Sequence, residues 1–391
     1  MKQITIQPAK MSSIFSTNLP FDTTSFSDLR RESCVYVDKT DILYPLASGG
    51  GKYLLTRPDG FGKSLLLSTF ESLFLHGLRD FKGLKIEELW NEKKSYLVVR
   101  LDFSEVRPAG TFKEFRDNFD AYLKAQFKQI GFESNGSAYF SIQLETFLSD
   151  LGNASLVLLI DDYDAPLAAY LDNPVLFEKV STYLSRFYCI LKSNDNVLRF
   201  LFLTGLTPLY KTSLFSDFND VSDISLSPEY GRLLGFSRAE VEHYFKEFLL
   251  HAEEKLNLRR KELIDKLEEF YGGFCFERTT KQKVIAPRLL LKFFSESHLR
   301  LHNYWLRNGA VSNALLNYLQ DHSLVPLNKL RNEASLPLND LRFSFEPQSV
   351  SSLALLVHMG YLTLKSIDGA TAYVGYSNDS AKEALNRLFI E

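Results

Sequence analysis

The stretch Tyr53-Leu-Leu-Thr-Arg-Pro-Asp-Gly-Phe-Gly-Lys-Ser64, continued by Leu65-Leu-Leu-Ser-Thr-Phe70, decides the fold. It reads as a short apolar strand, a tight loop, and a helix opening at Gly62-Lys63-Ser64. The first backbone N–H groups of a helix have no internal partner, so an anion can rest against them. Glycines let the backbone approach phosphates, Lys63 would reach the β/γ oxygens, and the Ser64 hydroxyl would ligate Mg²⁺. The candidate nucleotide contacts are Arg57, Gly60, Phe61, Gly62, Lys63, Ser64 and Leu65. The full spacing G-x-x-x-x-G-K-[ST] asks for a glycine at position 57, where Arg57 stands. Taken alone, the loop is therefore also compatible with an ordinary strand-to-helix turn.

A second signal lies about a hundred residues on. Leu156-Val-Leu-Leu-Ile160 followed by Asp161-Asp162 is a buried strand ending in two carboxylates. Parallel strands covered on both faces read as unbroken apolar runs, and ligands sit at their carboxyl ends. Asp161 stands where a nucleotide's Mg²⁺ needs a protein contact. Asp162 is placed to orient or deprotonate an attacking water. The two signals in this order and spacing point to a nucleotide site.

The 391 residues leave room for two or three domains. A hydrophobic content of 45% with 32 Phe describes a well-packed globular chain. The net charge of −3 does not advertise a nucleic-acid or anionic-membrane partner. Cys34, Cys189 and Cys275 are too few and too scattered for a disulfide framework, which suits a reducing, cytoplasmic setting. Met1–Lys10 has no apolar core, and no run reaches the roughly 18 apolar residues of a membrane span.

Along the chain, short helices are expected at Phe26–Glu32 and from Thr40 to about Ala47. Further strands are expected at Tyr96–Phe103, Leu198–Gly205 and Asp223–Leu226, and further helices at Phe112–Ile130 and Phe177–Leu191. Repeated strand–helix order predicts an α/β doubly wound parallel sheet of the P-loop NTPase type. After Gly235 long charged helices take over, Arg238–Leu249 and Ala252–Phe270. At the end, helix Leu353–Gly360, a hairpin about Asp368-Gly369 and helix Ser380–Ile390 suggest a winged-helix-like module. The expected division is a lead-in at 1–20, a P-loop ATPase domain at 21–234, a helical lid at 235–300 and the winged-helix-like end at 301–391.

At these residues the chain resembles the bacterial AAA-ATPase-like family whose members usually carry a C-terminal PD-(D/E)XK nuclease domain. The matching pieces include Tyr36-Val-Asp-Lys-Thr40, Arg57-Pro58 with Phe61-Gly-Lys-Ser64, and Leu159-Ile-Asp-Asp-Tyr-Asp-Ala-Pro166. Others are Thr204-Gly205, Leu214-Phe-Ser216 with Asn219, Gly235-Phe236, Tyr271-x-Gly-Phe274, Tyr304-Trp305 and Gly360-Tyr-Leu-Thr363. The resemblance accounts for Arg57, since that family's loop reads Arg-Pro-x-x-Phe-Gly-Lys-Ser. It implies an AAA/ASCE-like ATPase that binds ATP with Mg²⁺, assembles into homo-oligomers, and controls an effector such as a nuclease, in phage-defence or mobile-element settings. No nuclease signature is evident, and the sequence ends at Glu391, about where that domain would begin, so the effector is expected to act in trans or to be lost. Three departures matter, one of them Pro208, which stands where the family often has an arginine after Thr-Gly. The arginines usual between Arg-Pro and Phe-Gly are Asp59 and Gly60, and the usual Asp-Glu pair is Asp161-Asp162. A loop carboxylate repels phosphate, and the shorter Asp162 reaches less far toward water.

Three readings follow: a slow ATPase switch, a hydrolysis-impaired nucleotide-gated scaffold, and a DNA-binding adaptor working through the winged helix. Thr204 either senses the γ-phosphate or is a satisfied buried threonine. Asp164 either orients a loop or starts a turn. Arg57 touches phosphate or braces the loop. Asp38 and Lys39 most plainly cap a helix. Arg232 and Arg238 lie in the right part of the chain to serve a neighbouring subunit as an arginine finger.

Overall fold

Apolar strands that alternate with amphipathic helices bury both faces of a sheet, and the computed structural model has that arrangement. It describes residues 16–21, 23–134, 136, 139–208, 220–305, 319, 334–342 and 351–388. Five parallel strands, β1 (Gly51–Thr56), β2 (Leu97–Asp102), β3 (Leu156–Asp161), β4 (Leu198–Gly205) and β5 (Ser222–Asp223), run in the order β2-β3-β4-β1-β5. The strand bearing the phosphate loop is thus separated from the acidic strand by β4. Register pairs Leu55 with Thr204 and Thr56 with Gly205.

Successive side chains of a strand point to opposite faces. Leu54, Leu158, Ile160, Leu201 and Leu203 join one core, which packs on α4 (Phe112–Phe127), α5 (Phe140–Ser149) and α7 (Pro174–Ser193). Leu55, Val157, Leu159, Phe200 and Phe202 join the other, against α3 (Lys63–His76). Short helices α1 (Phe26–Arg31) and α2 (Thr40–Gly49) precede β1, and α6 (Ala165–Ala168) follows β3.

Beyond the sheet, the two long helices expected in the sequence are three: α8 (Arg238–Tyr244), α9 (Lys246–Leu256) and α10 (Arg260–Tyr271). The chain breaks at Phe245, and Asn257 takes a left-handed φ of 52° that ends α9. A small hairpin, β6 (Phe274–Cys275) with β7 (Lys283–Val284), leads into α11 (Pro287–Ser295). The last part has α12 (Ser352–His358), β9 (Leu362–Asp368), β10 (Thr371–Tyr376) and α13 (Asp379–Leu388), with Gly369 at φ 56° in the turn. A strand that sequence patterning passed over, β8 (Ala334–Pro337), adds to β10. Leu355, Leu362, Val374 and Leu385 of this part belong to the same core as Leu158 and Leu203 of the sheet. Leu214, Phe215, Ser216 and Asn219 of the resemblance lie outside the described residues.

Candidate nucleotide site

β1 ends in a braced turn. The Thr56 amide donates to Ser225 Oγ at 2.9 Å, and the Arg57 amide donates to the Gly205 carbonyl at 3.0 Å. The loop then turns on Gly60 (φ 82°) and Gly62 (φ 94°), backbone angles that L side chains rarely adopt. Gly62 caps α3 with no side-chain hydrogen bond. The amides at the start of α3, from Lys63 to Leu65, are therefore left for a ligand, with the positive end of the helix dipole behind them.

Arg57 does not turn to the cavity. Its guanidinium is buried, donates to the carbonyls of Thr56 (2.8 Å), Ser225 (2.8 Å) and Tyr230 (3.1 Å), and lies 4.5 Å from the Phe276 ring centroid. Burial lowers its pKa to about 9. Of the two roles open to Arg57, the brace is the one observed. Phe61 is an anchor as well: its ring is buried edge-on to Phe274 (4.9 Å) and Phe276 (5.0 Å), leaving its backbone for a ligand.

Lys63 is buried, not solvent-exposed as a helix start suggests. Its Nζ donates to the Arg57 carbonyl (3.1 Å) and to Asp59 Oδ1 (2.8 Å), with Asp162 Oδ1 at 3.7 Å. Burial opposes its charge, but the Asp59 and Asp162 carboxylates outweigh burial and raise its pKa. Asp162 is half-buried at the strand end with φ 45°. Burial, reinforced by Asp161 and Asp164 and opposed by Lys63, pushes its carboxyl up to about 7.

Asp161 is fully buried, and its Oδ1 accepts from the Thr204 hydroxyl at 2.5 Å. The Thr204 donor is thereby engaged by a carboxylate, so Thr204 holds Asp161 instead of presenting its O–H to a phosphate. Asp161 Oδ2 has no hydrogen-bond partner. A residue missed in the sequence stands beside it: one Nη of Arg100 lies 3.1 Å from the Ser64 carbonyl and 4.0 Å from Asp161 Oδ2. The two candidate metal residues therefore flank a single guanidinium nitrogen. Asp164 resolves to the loop-orienting role, for it accepts from Leu206 N (3.2 Å), Thr207 N (2.7 Å) and Thr207 Oγ1 (2.6 Å). A Cβ on Gly205 would sit 2.5 Å from Asp164 Oδ1, so this close approach needs glycine.

The loop, the start of α3 and Asp162 border a cavity of about 750 Å³. Its floor is Gly60–Leu66 with Asp162, and its walls include Phe21, Tyr36, Val37 and the segment Leu233–Phe236. Helix α11 closes one side, where the Arg288 amide donates to the Gly60 carbonyl at 3.1 Å. Arg288 and Lys292 add cations to the rim that no motif had flagged, because they come from a helix more than 200 residues away in sequence. Asp38 caps the start of α2 through the Thr40 amide at 2.9 Å. Lys39 instead crosses to Glu240 at 2.8 Å, a part-buried pair that joins the start of α2 to α8. Arg238 is held by Asp265 (2.6 Å), Glu268 (2.7 Å) and Glu242 (3.3 Å) of its own chain, so it is not free to serve a neighbour. Arg232 is exposed.

Known proteins match this chain at different distances. An uncharacterized protein from the vnfD 5′ region of Azotobacter chroococcum mcd 1 is 27% identical over 384 residues, 95% of this chain and 70% of its own length. Among solved structures, the Walker-type ATPase PABY2304 of Pyrococcus abyssi is 16% identical with a TM-score of 0.41, covering 95% of this chain and 98% of that one. Cdc6p from Pyrobaculum aerophilum is 13% identical with a TM-score of 0.35, covering 90% and 95%. Both overlaps are loose, and the P-loop fold rests on the strand order and loop of this chain itself. A family model described as predicted AAA-ATPase matches residues 20–215. With half of its length so matched, and with the phosphate loop and the acidic strand both inside that span, the chain belongs to the predicted AAA-ATPase family.

Proposed function

We propose that this protein is an Mg²⁺-dependent ATP-binding switch that hydrolyses ATP slowly and so controls an effector. One observation carries the reading. The bare N-terminus of α3, Lys63 and Asp162, which follows β3, come together at the carboxyl ends of parallel strands around a cavity large enough for a nucleotide, with Asp161 buried beside them. In this reading the phosphates lie on the amides from Gly62 to Leu65 and on Lys63. Ser64 and Asp161 would hold Mg²⁺; a hydroxyl and a carboxylate oxygen with no hydrogen bond, 4.0 Å from the Arg100 guanidinium, are hard oxygen donors that fit it. Bound there, the ion supplies neutralisation of the charge that develops on the phosphates. Asp162 is the candidate base for the attacking water, positioned at the cavity floor with a pKa near the working pH. Thr204 acts by positioning Asp161.

The division at 235 and 301, the winged-helix-like character of the end, homo-oligomerisation and an effector nuclease acting in trans belong to the same proposal. With Arg238 engaged in its own chain, Arg232 is the arginine to test between subunits. Among the described residues no helix is long and apolar enough to cross a membrane. A second reading, a scaffold that binds ATP without turning it over, is favoured by the contact between Asp59 and Lys63, which leaves the lysine already paired.

The experiment is ATP turnover measured beside binding of a fluorescent ATP analogue on one preparation, for the wild type and Lys63→Ala. Binding with slow turnover in the wild type, and neither in Lys63→Ala, supports the switch. Binding without turnover selects the scaffold. Undiminished affinity in Lys63→Ala would remove the nucleotide from this loop.

A further inference from the structure

The phosphate loop contains its own anion. Lys63 gives two of its three N–H donors to its own loop, through Asp59 Oδ1 at 2.8 Å and the Arg57 carbonyl at 3.1 Å. Asp59 is about a third exposed (31%) and precedes Gly60, whose left-handed φ and contact with Arg288 fix the loop just after it. The aspartate side chain can therefore leave the lysine by rotating toward solvent while the backbone stays in place. It remains tethered at the cavity rim, where it is one of the lining residues together with Asp162.

We propose that Asp59 is a specificity residue of the nucleotide site: it occupies Lys63 in the empty cavity and admits triphosphate only when a divalent cation has already neutralised part of its charge. The proposal rests on the ATP-binding reading above. A metal-free triphosphate must displace the Asp59 carboxylate from Lys63 and then sit beside it, with Asp162 close by and Asp161 and Asp164 buried beneath. Like charges at such range, in a half-buried site, strongly disfavour the complex. A triphosphate that carries its cation brings fewer net charges and takes over the lysine at a smaller electrostatic cost. Of the nearby cations, Lys39 is paired with Glu240 and Arg57 is turned into the core; Arg288 and Lys292 stand at the rim, away from the contact between Asp59 and Lys63 that the phosphates must replace.

The test is the affinity of a fluorescent ATP analogue, read by anisotropy on the full chain, with Mg²⁺ and with EDTA. Four proteins are compared: wild type, Asp59→Asn, Asp59→Glu and Lys63→Ala. The readout is the ratio of the metal-free to the metal-loaded Kd. It should be at least tenfold larger in the wild type than in Asp59→Asn, and Asp59→Glu should keep most of the wild-type ratio. Asparagine is isosteric and sits at a part-exposed position, and an unchanged Tm confirms that the fold persists. Equal ratios in wild type and Asp59→Asn overturn the proposal while leaving ATP binding intact. Absence of binding by both proteins under both conditions overturns the ATP reading, and this inference with it. Loss of binding in Lys63→Ala alone shows that the ratio was measured at this loop.

Discussion

Asp162 combines a left-handed backbone angle, a half-buried carboxyl and a pKa of about 7. Perturbed groups of this kind cluster at working sites, because a base poised near the operating pH transfers protons best. Two consequences of opposite sign follow. The basic form fills as pH rises through about 7, so turnover should climb over that range and then level, and Asp162→Asn should be inactive at every pH. Stability runs the other way, because the folded-state pKa is raised above the ordinary carboxylate value. The stability this group confers is complete below about pH 4 and is lost as pH rises to 7. Thermal melts should therefore show Asp162→Asn gaining on the wild type from pH 4 to 7 and holding a constant advantage above. Asp162→Glu restores the reach of the family's usual residue. It should raise turnover about tenfold, equivalent to about 1.4 kcal/mol of barrier, with ATP affinity unchanged. A flat pH–turnover profile across 6–8 would exclude Asp162 as the base.

The loop from Pro58 to Gly62 acts as an element because two distant parts of the chain hold it. Phe61 is clamped by Phe274 and Phe276 of the small hairpin region, and Gly60 is met by the start of α11. Two glycine substitutions separate backbone strain from lid contact. A Cβ at Gly62 meets nothing within 4 Å, so Gly62→Ala should lose only the penalty of a left-handed alanine, about 1–2 kcal/mol. A Cβ at Gly60 would lie 3.0 Å from Arg288 Cβ, so Gly60→Ala should lose that much and also push α11 away. Chemical denaturation should rank Gly60→Ala below Gly62→Ala. Equal stabilities would mean that α11 does not press on the loop.

At the scale of the molecule, the C-terminal part is the back wall of the nucleotide loop. A Cβ on Gly360, which has φ 82°, would lie 3.0 Å from Pro58 Cβ and 2.8 Å from the Trp305 ring. Trp305 stacks on Phe274 with centroids 5.8 Å apart, and Thr363 Oγ1 both accepts from the Cys275 amide (2.8 Å) and donates to its carbonyl (3.2 Å). Pro58 and Phe61 thus lean on a layer that continues into β9. Close-packed contacts transmit small shifts, so ATP entering the loop should alter the surroundings of Trp305. The chain has two tryptophans, and Trp90 is buried against Phe74, away from the loop. In Trp90→Phe, addition of ATP with Mg²⁺ should shift or quench the remaining emission, and Lys63→Ala should abolish that change. Constant emission at saturating ATP would show that the wall does not feel the loop.

Much was legible in the residues alone, and the reason is locality. Unbroken apolar runs, an anion-ready helix start and paired acids at a strand end are written in consecutive residues, so β1, β3, Lys63 and Asp161 could be placed without coordinates. The Asp368-Gly369 hairpin was equally local. What the sequence could not determine depends on residues far apart in the chain. The path of the Arg57 guanidinium depends on carbonyls at Ser225 and Tyr230, and the partner of Thr204 is an aspartate 43 residues earlier. Arg100 lies beside Asp161 only because β2 pairs with β3. Arg288 meets the loop only because α11 folds back across it. β8 is too short to show a period, and the break in the charged helices at Phe245 is set by packing against Phe236 and Phe294. The sequence by itself determined a P-loop α/β protein with its phosphate loop and acidic strand. Only the tertiary structure decided which charges meet: Lys63 with Asp59, Asp161 with Thr204, and Lys39 with Glu240. Pairing between distant side chains is settled by how the layers pack, and no local pattern records it.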